Sequence, residues 1–106
     1  MTGTSAQQEP RLLRNAAERR YEIWLGNTRA GVATFRETDT HVTFLHTIVD
    51  EGFGGRGLGS KLAAYALHDA VDRGKRIVPI CPFIAAYVED NHEFDEHLDL
   101  PKPVRS

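Results

Sequence analysis

The chain of 106 residues has a single cysteine, a single tryptophan and only 8% aromatic residues, and neither sign of charge prevails, with 13 Lys and Arg against 15 Asp and Glu. With Cys81 alone no internal disulfide framework can form, and a lone thiol suits a reducing compartment. The formal net charge of -2 and the scatter of basic among acidic positions leave no cationic block to displace counterions from a phosphate backbone, so no nucleic-acid partner is expected. No apolar run approaches the roughly 18 residues of a membrane span. The segment 1–8 lacks the basic stretch and apolar core of a signal peptide. Together these absences predict a cytoplasmic protein with no membrane partner.

What is present suits one globular domain, at 41% hydrophobic and 26% charged. A chain of this length hides roughly 65% of its unfolded surface, enough for one core and one site. Composition divides it into a polar lead-in, 1–15, whose only apolar anchor is Leu12-Leu13, a domain over 16–100, and a short tail, 101–106. No repeat or low-complexity segment interrupts the middle.

Tyr21, Ile23 and Leu25 alternate onto one face of a strand, and Gly26-Asn27 starts the turn to a second run, Ala30 to Arg36, giving a β-hairpin. His41 to Val49 reads as a central strand, with Val42, Phe44, His46 and Ile48 on one face and Thr43, Leu45, Thr47 and Val49 on the other. After Asp50-Glu51 come five glycines in Gly52-Phe53-Gly54-Gly55-Arg56-Gly57-Leu58-Gly59. From Leu58 to about Arg73, Leu62, Ala63, Ala66, Leu67 and Ala70 share one helical face, and Gly74 is placed to end that helix. A short strand, Arg76 to Ile80, a helix from Phe83 to Glu89 and one further turn over His92 to Leu98 complete the pattern. Three antiparallel strands, a glycine loop, a helix, a strand and a helix predict an α/β fold, its mainly antiparallel sheet flanked by helices.

A glycine-rich passage from strand to helix can hold a phosphate on unhindered backbone N–H groups at the positive helix end. Equally, it can be no more than a turn. It is not a Walker loop, because Gly59 is followed by Ser60-Lys61 and not by Lys then Ser or Thr. It also lacks the spacing and the βαβ setting of a dinucleotide fingerprint.

What remains resembles the GNAT superfamily of acetyl-CoA-dependent N-acyltransferases, whose signature is Arg or Gln, two residues, Gly, one residue, then Gly or Ala. Gly57-Leu58-Gly59 fits its second half, while Gly54 stands where the family has Arg or Gln. With His46-Thr47, Pro79-x-Cys81-Pro82-Phe83 and Tyr87, the stretch from Tyr21 to Leu98 resembles the small, single-domain YjdJ-type GNAT-like family. Asn91-His92-Glu93-Phe94 departs from that family's His-Pro-Glu-Tyr. The resemblance implies a minimal GNAT-like fold, acetyl-CoA as cosubstrate and transfer of its acetyl group to a primary amine. It also implies that Gly54, Gly55, Arg56, Gly57, Leu58, Gly59 and Ser60 hold the pyrophosphate, and that main-chain groups of Thr47, Ile48 and Val49 bond the pantetheine, beside an oxyanion donor. A CoA-binding module without catalysis is the alternative, sharpened by Gly54 and the altered Asn91 to Phe94 segment.

Three side chains carry candidate chemistry. The resemblance makes Cys81 either an acetyl acceptor, activated by the helix start that follows it, or a wall of the pocket while the amine attacks directly. A lone cysteine is also commonly a small buried hydrophobe. His46 can act as base toward the incoming ammonium, or be a hydrogen-bonded core histidine. Tyr87 matches the tyrosine that in many GNAT enzymes protonates the departing thiolate, or packs on its helix. No metal is expected, since His41 and His46, or His92 and His97, are not at ligating spacing. Glu89, Asp90, Glu93, Asp95 and Glu96 either attract a cationic acceptor or form a solvated face. The acceptor itself and the oligomeric state are not written in the sequence.

Overall fold

The computed structural model describes residues 9–50 and 57–99. Four antiparallel strands follow one another along the chain: β1 (Arg11–Asn15), β2 (Arg20–Leu25), β3 (Thr28–Glu37) and β4 (His41–Val49). Helix α1 (Leu58–Asp72) then crosses over to β5 (Arg76–Pro79), which pairs parallel to β4, so the sheet order is β1-β2-β3-β4-β5. Helix α2 (Pro82–Asp90) and a 3-10 turn (His92–His97) close the described chain. None of the described helices is long and apolar enough to cross a membrane.

Strand β1 lies inside the segment whose composition suggested a lead-in. Its strand character comes from its neighbour: Leu12 pairs with Ile23 and Leu13 with Glu22, while Asn15 Nδ2 donates to Glu22 Oε2 at 3.0 Å. Arg-Leu-Leu-Arg-Asn carries no alternation of its own, which is why local pattern does not reveal it.

A second difference lies in β4. Phe35 pairs with Phe44 but Thr34 pairs with His46, so Leu45 is an extra residue on β4. Such a bulge resets the two-residue alternation. Val42 and Phe44 face the core, but beyond Leu45 that face passes to Thr47 and Val49, opposite Ala33 and Gly31, and His46 and Ile48 turn away. The expected face of Val42, Phe44, His46 and Ile48 therefore breaks after Phe44.

One apolar cluster joins Tyr21, Ile23, Ala33, Phe35, Val42, Phe44 and Ile77 of the sheet to Leu62, Ala66 and Leu67 of α1 and Ile84 and Val88 of α2. Both helices thus lie on one side of the sheet, and no described helix covers the other. Tyr21 is central, its ring 5.1 Å from that of Phe35, and its hydroxyl donates to Asp69 Oδ2 at 2.7 Å. Burial first, then the hydrogen bond to Asp69, drives the Tyr21 pKa far above its ordinary value. At the α1 terminus, Gly74 N–H donates to Val71 O and Lys75 N–H to Ala70 O, each at 2.9 Å, the paired closure that lets the chain turn into β5. On the uncovered face Glu22 is only 3% exposed. Burial raises its pKa, but donors on Arg20, Trp24 and Asn15 outweigh this and lower it.

Candidate functional site

Strands β4 and β5 separate where the bulge begins. Their pairing ends at Phe44 and Pro79, and Cys81 N–H donates to Phe44 O at 2.9 Å before the chain turns into α2. Strand β4 continues to Val49 paired only with β3, so among the described residues its other edge from Leu45 onward has no partner strand. Asp50 N–H donates to Ala30 O at 2.7 Å, which fixes the alternation of the β3–β4 ladder. The backbone groups of His46 and Ile48 turn toward β3, and those of Thr47 and Val49 toward the gap.

Two helix starts border this gap. In α1 the N-cap is Gly57, at φ 69, a left-handed conformation that favours glycine. Lys61 N–H returns to Gly57 O at 3.1 Å, leaving the amides of Leu58, Gly59 and Ser60 without a helical acceptor. Neither a capping side chain nor an acidic residue occupies that first turn. In α2, Cys81 is the N-cap with Pro82 just inside, where the missing N–H costs nothing. A Cβ on Gly59 would lie 2.8 Å from Phe83 Cζ, so glycine at 59 leaves the space that the Phe83 ring occupies between the two helix starts.

The candidate side chains are divided around the gap. Cys81 is 2% exposed, and its Sγ–H donates to Thr47 Oγ1 at 3.3 Å. His46 is exposed on the uncovered face, the opposite side of β4 from Thr47, so no pairing of thiol with imidazole is assembled. Tyr87 lies six residues into the chain beyond Cys81, about 9 Å along α2, and its ring stands 6.4 Å from that of Phe94. Burial and then the Glu93 charge raise the Tyr87 pKa, which keeps the phenol protonated. Gly54, Gly55 and Arg56 lie outside the described residues.

Three of the other histidines sit beside carboxylates: His41 Nε2 is 2.6 Å from Asp99 Oδ2, His68 Nε2 3.5 Å from Glu93 Oε1 and His92 Nδ1 3.1 Å from Asp95 Oδ2. Among the described residues no group of three His, Cys, Asp or Glu side chains gathers as a metal would need. Thr47 as the partner of Cys81, and Ile80 and Phe83 at the mouth of the gap, were missed in the sequence. The only signal for them was the Ile80-Cys81-Pro82-Phe83 run between strand and helix.

The sequence model of the GCN5-related N-acetyl-transferase family matches residues 20–98. Among solved structures, the chain is similar to the NMR solution structure of a GCN5-like candidate N-acetyltransferase from Staphylococcus aureus, at 20% identity and a TM-score of 0.64, over 87% of this chain and 90% of that one. No curated protein matches significantly.

Proposed function

The chain belongs to the GCN5-related N-acetyl-transferase family, and from that premise we propose that it transfers the acetyl group of acetyl-CoA directly to a primary amine in the gap between β4 and α2. Membership supports acyl transfer by this fold. The observation that carries the finer reading is the open edge of β4 beyond the bulge, bordered by two uncapped helix starts.

The residues present suit a CoA thioester. Amides of Leu58, Gly59 and Ser60 at the positive end of α1, with no competing carboxylate in that turn, suit the pyrophosphate. Among the described residues nothing lies within 4 Å of a Cβ placed on Gly57, which suits an approach of phosphate oxygens. Main-chain groups of Thr47 and Val49 suit the amides of the pantetheine arm, which would lie along β4 as a further strand does. Gly54, Gly55 and Arg56 belong to the same proposed phosphate loop.

When bound, the thioester supplies an acyl carbon activated by a good leaving group. His46, on the accessible face, accepts the proton of the incoming ammonium, and a freed backbone N–H at the gap stabilises the developing oxyanion. The amine nitrogen then bonds to the acyl carbon as the C–S bond breaks, and its second proton makes good the one that protonates the departing thiolate, so the products are the amide and free CoA thiol. In this reading Cys81 lines the pocket, because a thiol that is 2% exposed and bonded to Thr47 is poorly placed to hand an acetyl group to an acceptor. Tyr87, kept protonated, remains the candidate proton donor to the thiolate.

Calorimetric titration with CoA and acetyl-CoA, beside intact-protein mass spectrometry after incubation with acetyl-CoA, tests this. Binding without a covalent adduct is expected, with release of CoA thiol when an amine is added. An acetyl adduct that disappears in Cys81→Ala would replace direct transfer with a covalent route, and no binding would remove the CoA reading altogether.

A further inference from the structure

The large apolar side chains most exposed among the described residues are Ile48 at 62%, Ile80 at 53% and Phe83 at 40%, and all three border the same gap. Single exposed apolar residues are ordinary, but a group of them around one opening marks a contact surface. Phe83 belongs to the helix side, against Gly59. Ile48 follows the bulge onto the uncovered face of the sheet, and Ile80, exposed between buried Pro79 and buried Cys81, also points away from the core.

Among the described residues the helix side of the gap is largely packed apart from Phe83, with Phe44 and Ile84 at 0%, Leu58 at 3% and Cys81 at 2% exposure. An acceptor therefore reaches the gap from the uncovered face. There it meets exposed Ile48 and Ile80, half-buried Leu45, and the exposed imidazole of His46.

The charges of this face do not suit a polycation. Glu22 is already engaged by Asn15, Arg20 and Trp24. Arg29 and Asp50, of opposite sign, border a depression of about 170 Å³ beside Ile48. Of the acidic residues late in the chain, Glu89 and Asp95 line a different cavity, of about 510 Å³, floored by Pro79, Val88 and Leu98.

Resting on the acetyl-transfer reading, we propose that the acceptor is a monoamine carried on an apolar body, aliphatic or aromatic, seated against Ile48 and Ile80 with its nitrogen on the His46 side of the gap. The imidazole takes one proton from the ammonium, the nitrogen forms the amide bond as the C–S bond breaks, and its second proton leaves with the thiolate as free CoA thiol. The apolar body decides which amine is chosen.

The experiment uses the full chain and saturating acetyl-CoA, with a series from propylamine to heptylamine, 2-phenylethylamine and spermidine as acceptors. Burying a methylene completely is worth about fourfold, so partial burial gives an expected rise in kcat/KM of about two- to threefold per added methylene, with heptylamine preferred over spermidine. In Ile80→Ser the amine KM rises and the dependence on chain length flattens, while CoA affinity by calorimetry is unchanged. Isoleucine methyl resonances of Ile48 and Ile80 shift when heptylamine is titrated into the CoA complex, a readout independent of turnover. A flat series, a preference for spermidine, or no turnover of any amine by a protein that binds CoA overturns the apolar acceptor and leaves CoA binding standing. Failure to bind CoA overturns both readings. A dimer in sedimentation equilibrium that dissociates in Ile80→Ser, with amine KM unmoved, assigns the patch to self-association and overturns the proposal.

Discussion

Replacing Glu37 by Gln removes a charge that three cations share. Arg73 reaches both carboxylate oxygens, one through a short contact of Nη1 and the other from Nη2 at 3.1 Å. Arg14 Nη2 donates at 2.9 Å, and Lys75 Nζ lies 3.3 Å away. Burial alone would raise this carboxyl, but hydrogen bonds from Arg73, Arg14 and Lys75 outweigh it and hold the pKa at about 2, against 4.5 for the free side chain. Because the folded pKa is the lower one, the stabilisation is complete above about pH 4.5 and is lost as the pH falls toward 2. The difference corresponds to roughly 3 kcal/mol at 1.36 kcal/mol per pH unit. With the side chain 17% exposed, solvent screening brings the expected value to about 2 kcal/mol. At pH 7 Glu37→Gln should therefore unfold earlier, with Tm lower by on the order of 10 °C. Urea unfolding followed by circular dichroism at pH 7, 5, 4 and 3 should show wild type and variant converging across the acid range. CoA affinity should be unmoved, because Glu37 ends the central strand β3 opposite Val42, away from the Leu45–Val49 stretch that borders the gap. A difference at pH 7 below about 0.5 kcal/mol, or one that persists unchanged at pH 3, would refute the reasoning.

Gly57→Ala places an L residue at φ 69 and should cost about 1 kcal/mol of stability. Its added methyl group should also weaken CoA binding about tenfold by calorimetry, equivalent to about 1.4 kcal/mol, and unchanged affinity in the folded variant would reject the phosphate placement. Cys81→Ala should bind CoA and keep its turnover, so loss of turnover with intact binding would give the thiol a chemical role. Leu62→Ala, at a side chain with 0% exposure, should lose about 2–5 kcal/mol of stability, measured by urea unfolding. Loss of less than about 1 kcal/mol would mean that the space between α1 and the sheet closes up.

The hairpin, strand β4 over His41–Val49, helix α1 from Leu58 and the Gly74 stop were legible because local physics specifies them. Two-residue alternation marks strands, a shared apolar face marks α1, and glycine past its end closes it. The glycine loop and the Pro79 to Phe83 run likewise pointed to the acyl-transfer family without any coordinates. Strand β1 was not legible, since Arg11–Asn15 becomes a strand only through pairing with β2 and the cross-links that Arg14 and Asn15 make. The Leu45 bulge was equally hidden. One residue gained against β3 sends His46 to the uncovered face and Thr47 to Cys81, and nothing in His41–Val49 announces where a partner strand will slip. The sequence by itself determined most of the elements, though not β1, and the residue types around the gap. Only the tertiary structure decided which side each of those residues faces, because facing depends on register, and register is a property of two strands together.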